Sequence, residues 1–137
     1  MHSFALLSMS ALFFGCPKPQ PKNQVFETGK IFTIMQGQTA QTADGSLKIH
    51  FDEVTADSRC PTGVQCVWAG RVDASFTLTQ GSANQTVQLS SGALTKGGAN
   101  SATFGGYTVK LEGMEPAKKS EAMLDQKEYK ATMVVAQ

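Results

Sequence analysis

From Val25 onward, apolar residues recur at every second position in short runs separated by turn residues, the pattern of strands that bury one face. Arg71 to Thr79 shows it best: Val72, Ala74, Phe76 and Leu78 point one way, and Arg71, Asp73, Ser75, Thr77 and Thr79 the other. Leu47, Ile49 and Phe51 alternate after an Asp44-Gly45 turn. The phase then breaks at Asp52-Glu53-Val54, which predicts a bulge or strand end. Lys30 to Met35 gives an earlier strand, with Phe32 and Ile34 opposite Ile31, Thr33 and Met35. Gln80 to Gln85 reads as a hairpin connection into Thr86 to Leu89, with Val87 and Leu89 inward. Tyr107, Val109 and Leu111 form a further inward set, and Tyr129, Ala131, Met133 and Val135 the last. Ser90 to Gly106, with five glycines and little periodicity, is expected to be a mobile loop. Pro116 to Gln126 has room for one helical turn around Ala122 to Leu124. There is no βαβ alternation, so the expected fold is all-β, a single antiparallel β-sandwich of six to seven strands spanning residues 25–137.

The first residues follow a different rule. Phe4 to Phe14 is an apolar run of eleven, suited to a secretory signal and too short for the roughly 20 residues of a spanning helix. Gly15-Cys16 follows at once, and a small residue directly before a cysteine at the end of such a run resembles the lipobox of bacterial lipoproteins. Phe13 and Phe14 stand where that motif usually has Leu and a small residue, and only His2 offers a positive charge before the run. The resemblance implies a lipoprotein signal peptide over residues 1–15, cleavage before Cys16, and acylation of Cys16 with diacylglyceride and palmitate-type chains. Pro17, Pro19 and Pro21 make residues 16–24 an extended, solvated tether. Several acyl chains on one residue anchor a domain stably. The expected location is therefore the bacterial cell envelope, with the domain held by lipid at the outer membrane, in keeping with Pro17 rather than Asp after Cys16.

Composition narrows the chemistry. Twelve Lys and Arg against 11 Asp and Glu leave a formal charge of +1, which gives no electrostatic footprint for nucleic acid. Lys118 and Lys119 are too few for a basic lipid-binding patch. No phosphate-binding glycine loop, H-E-x-x-H or calcium-loop pattern occurs. His50 falls on the polar face of its strand, and Asp52 and Glu53 point to opposite faces, so neither completes a nucleophile-base or paired-carboxylate arrangement. No catalytic residue, cofactor or metal site is expected.

The segment Asp57 to Gly70, DSRCPTGVQCVWAG, holds the remaining pair of cysteines, Cys60 and Cys66. An even count in an exported chain favours a disulfide; a metal site and a free thiol are the alternatives. This string, after FDEV and before an alternating strand, with a later GYTVKL and a Tyr-led final strand, resembles a group of small bacterial lipoproteins and secreted domains that share a DSRCP…C-x-WAG core. Arg71 stands where that group leads one to expect an acidic residue. The resemblance supports the β fold and export and implies no particular activity. Trp68, the only tryptophan, is either a cap on the disulfide or core edge or a ligand platform. Asp57 and Ser58 suit a turn closed by side-chain hydrogen bonds, and Arg59 a pairing with a carboxylate.

These features together suggest a membrane-anchored, extracytoplasmic binding module without catalysis, presenting a disulfide-closed loop and a Trp, with Asp57, Arg59, Trp68 and Arg71 as candidate contact residues. An envelope protein or a saccharide is the expected partner beside the membrane itself. The alternatives are an inhibitor of an envelope hydrolase and a structural subunit of an envelope assembly. The anchor has a direct check: metabolic labelling with palmitate is expected to mark the wild type and leave Cys16→Ser unlabelled.

Overall fold

A computed structural model describes residue 15 and residues 23–94 and 97–137 of the chain. The apolar leader, Cys16 and residues 17–22 of the tether lie outside the described residues. Among the described residues nine strands follow in order: β1 (Gln24–Phe26), β2 (Phe32–Met35), β3 (Thr39–Thr42), β4 (Lys48–Asp57), β5 (Arg71–Gln80), β6 (Ala83–Gly92), β7 (Ser101–Phe104), β8 (Tyr107–Glu115) and β9 (Lys130–Ala136). They form a five-stranded sheet, β1-β3-β4-β5-β6, and a four-stranded sheet, β2-β9-β8-β7. The fold is the expected all-β sandwich. It has more strands than expected, and one pair, β1 with β3, is parallel.

The inward positions are those that alternation marks. Ile49, Phe51, Val72, Ala74, Phe76, Leu78, Leu89, Val109, Leu111, Tyr129, Ala131, Met133 and Val135 are essentially inaccessible. Phe51 and Phe76 meet across the β4-β5 ladder with ring centroids 4.9 Å apart, and Phe26 stacks on Phe32 at 4.4 Å. Phe32 and Ile34 face in while Ile31 is exposed.

The differences from the sequence reading have physical causes. β1, β3 and β7 are only three or four residues long, too short to show alternation, and β3 is built from Thr, Ala and Gln, yet Ala40 and Thr42 point inward. Strand pairing begins at Gln24, opposite Ala40, one residue before the expected start of the domain. The stretch Ser90 to Gly106 is in part strand: β5 and β6 pair without interruption from Gln80↔Ala83 to Arg71↔Gly92, and Ser101–Phe104 pairs with β8. The hairpin between β5 and β6 is correspondingly tighter than Gln80 to Gln85, only Gly81-Ser82, with Gly81 at the positive φ that the first position of a type II′ turn needs. The helical turn lies at Gln126–Glu128 instead of Ala122 to Leu124. Asp125 fixes it there, accepting from the Lys127 N–H while its own N–H donates to Glu128.

β4 carries two register shifts, between Phe51 and Glu53 and between Val54 and Ala56. The first is the expected break of phase, and it turns Val54 inward in place of Glu53. The second restores the original parity and turns Asp57 inward in place of Ala56. β3 pairs only with the first part of β4, and the β8–β9 connection covers the rest of that edge: the Gln126 side-chain amide donates to the Val54 carbonyl at 2.9 Å and accepts from the Val54 N–H at 2.9 Å, as a neighbouring strand would.

Because Phe51 sits at the centre of the inter-sheet core, Phe51→Ala is expected to cost about 3–5 kcal/mol. Urea unfolding of the two proteins measures it.

Candidate functional site

The site grows from the point where β4 ends. Asp57, delivered inward by the second bulge, has a carboxylate with no solvent exposure. A carboxylate there needs several donors. Arg59 supplies a two-pronged contact, Nε to Oδ1 at 2.9 Å and Nη2 to Oδ2 at 2.8 Å, and the Tyr129 hydroxyl donates to Oδ2 at 3.0 Å. The remaining guanidinium nitrogen, Nη1, donates to the Met114 carbonyl on β8 at 2.8 Å. Buried Lys118, on the β8–β9 connection, donates from Nζ to the Asp57 main-chain carbonyl at 2.9 Å. The end of the five-stranded sheet at Asp57 is thus tied to β8 through Arg59, to the residue before β9 and to the connection between those strands.

These contacts set the local titration. Burial pushes the Asp57 carboxyl up, but the hydrogen bonds from Arg59 and Tyr129 and the adjacent Arg59 charge outweigh it and hold Asp57 below the ordinary carboxylate value. The Tyr129 phenol is raised, first by burial and then by its bond to the carboxylate.

Above this root the chain leaves the sheet as residues 58–70. Ser58 and Arg71 close the base: the Ser58 N–H donates to the Arg71 carbonyl at 2.8 Å, and the Arg71 N–H donates to the Ser58 hydroxyl at 3.1 Å. Gly70 passes so close to Ser58 that a Cβ there would sit 1.7 Å from the Ser58 carbonyl oxygen, which only glycine permits. Pro61 is buried, a turn at Thr62-Gly63 follows, and the Thr62 N–H donates to the Lys118 carbonyl at 2.8 Å. Cys60 and Cys66 are joined by a disulfide, with Cα atoms 6.0 Å apart.

The tip beyond the disulfide is apolar and open to water. Val67 is 95% exposed, Trp68 75% and Val64 52%. No charged residue occurs from Pro61 to Gly70. Trp68 therefore does not cap the core; its ring stands largely in water. A groove of about 440 Å³ runs along its flank, lined also by Ser58, Ala69, Gly70, Arg71, Asp73 and Ala93. In its wall the Arg71 guanidinium pairs with Asp73 at 3.1 Å and also donates to the Gly97 carbonyl, while the Ser90 hydroxyl donates to Asp73.

The four candidate contact residues thus divide. The Asp57 side chain faces inward with no exposure, and the partly exposed Arg59 is engaged with it at the loop root. Trp68 and, at the groove wall, Arg71 are accessible. His50 is partly exposed and bonds Thr39 through Nδ1 at 2.9 Å. Sequence reasoning missed Tyr129, Lys118 and Gln126 as parts of the loop's support. For Tyr129 a signal was present, since a tyrosine on an inward-facing register needs a partner for its hydroxyl. Among the described residues, no group of three or more His, Cys, Asp or Glu gathers within metal-binding range.

The buried pair makes stability depend on acid in a defined direction. A carboxyl whose value is depressed by folding stabilises fully above the unfolded value of about 3.9, and that contribution is lost as pH falls through the lower, folded value. Asp57→Asn leaves the Arg59 charge unpaired and is expected to cost about 3–5 kcal/mol at pH 7. Urea melts of both proteins from pH 7 downward are expected to show the gap narrowing in acid.

No protein-family model matches the chain, and no curated protein or solved structure matches it.

Proposed function

We propose that this chain is a non-catalytic, lipid-anchored binding module of a bacterial envelope, and that the tip formed by Val64, Val67 and Trp68 is its contact surface. The observation that carries this reading is the exposure of three apolar side chains on a loop whose backbone is fixed by a disulfide, a Gly70 close approach and a buried ion pair. A flexible loop would fold such side chains back against the domain; a braced one holds them out, ready to meet a partner at little further entropic cost. The groups that could do chemistry at the loop are already engaged: both cysteines in the bridge, Asp57 with Arg59 and Tyr129. That supports binding over catalysis. The groove beside Trp68, with Arg71 and Asp73 in its wall, favours a saccharide as the second reading, since an aromatic face next to a polar pair suits a hydroxylated ring.

Trp68→Ala is expected to change stability by less than about 0.5 kcal/mol, as for an exposed side chain. Replacing Cys60 and Cys66 together by Ser is expected to cost about 1–3 kcal/mol, because the closed loop is short. A photo-crosslinking residue placed at Val67 in living cells is expected to form adducts in the wild-type background, and fewer in the background lacking both cysteines. A tip that cross-links to nothing in the envelope overturns the reading.

A further inference from the structure

The direction of the first strand bears on what the tip touches. β1 runs parallel to β3, and β3 antiparallel to β4, so β1 runs against β4. β4 ends at the braced loop. The N-terminal end of β1 therefore faces the loop's end of the sandwich. Register fixes the distance: Gln24 lies level with Ala40, Ile49 and Leu78, and the loop root at Asp57 lies level with Val72. The six residue steps of β5 from Val72 to Leu78 span about 20 Å. The eight residue steps from Cys16 to Gln24, in a sequence with three prolines, reach about 25 Å when extended.

The two lengths nearly match. A bilayer holding Cys16 can stand only slightly farther from Gln24 than the loop root does, and Val64, Val67 and Trp68 project beyond that root. The tip carries no charge, and Trp at an apolar edge suits the boundary between headgroups and acyl chains. The β8–β9 connection, bonded to the same root through Lys118, adds the exposed Met123 on that side of the molecule. We infer that the partner of the tip is the bilayer that carries the anchor: Trp68 and Val67 enter its interfacial layer and hold the domain against the membrane with the loop's end down. The inference rests on the proposed lipid anchor and on the tip as contact surface, and it names a phospholipid surface as the occupant.

Trp68 is its own reporter, being the only tryptophan. The mature chain, purified from membranes and reconstituted into vesicles of phosphatidylethanolamine and phosphatidylglycerol, is expected to emit at shorter wavelength than the unlipidated Cys16→Ser chain in buffer. It is also expected to resist quenching by acrylamide and to lose most of its emission when the acyl chains are brominated near the headgroups. Val67→Glu, at a position almost fully in water, is expected to keep the fold and abolish the bromine quenching. Flotation with the vesicles is read separately: a chain that does not float overturns the anchor and the inference together. A chain that floats while Trp68 stays open to acrylamide and untouched by bromine overturns the bilayer contact alone. Protein adducts at Val67 in cells would then leave the tip as a docking surface for another protein.

Discussion

The loop depends on one buried carboxylate. Asp57 sits where β4 ends, with no exposure to water, and its charge is tolerable there because Arg59 and Tyr129 complete its coordination by donors. The same bonds reach Met114 on β8 and the residue before β9, so neutralising one charge also fastens two sheets at their shared end. The first bulge alone would have left Ala56 inward; the second returns β4 to its original parity and Asp57 to the inward face. The irregularity of β4 is thus part of the device and sets the direction in which the chain departs.

Much of the fold was legible because burial leaves period-two patterns in β4, β5, β8 and β9, whose inward residues are large and apolar. β1, β3 and β7 were hidden because each is three or four residues long, and the inward Ala40 and Thr42 of β3 look the same in a loop as in a strand. At the site, the disulfide followed from residue types and spacing, whereas Trp68 could have been a cap or an exposed platform until the structure placed it in water. The inward turn of Asp57 did not follow from them, since it depends on the count of bulges, and its contacts with Tyr129 and Lys118 join residues 72 and 61 positions apart. Local patterns carry no information on such pairings until the strand order is known.

The apolar tip has a thermodynamic cost that the rest of the domain has to bear. A large apolar side chain left in water forgoes about 1.5–3 kcal/mol of burial free energy. The bracing at Ser58, Gly70 and the disulfide prevents the chain from recovering that energy by collapsing inward. Rigidity and exposure therefore belong together here: loosening the base of the loop would let Val67 and Trp68 find cover on the domain's own surface.

The tight turn between β5 and β6 has a practical consequence. Gly81 and Ser82 are exposed and lie at the far end of β5 from the braced loop, where no buried polar contact depends on them. Exposed tips of this kind accept inserted sequence most readily. A fluorescent label or affinity peptide spliced between these two residues would ride on the opposite pole of the molecule from Trp68, turning the domain into a ruler whose two ends can be addressed independently.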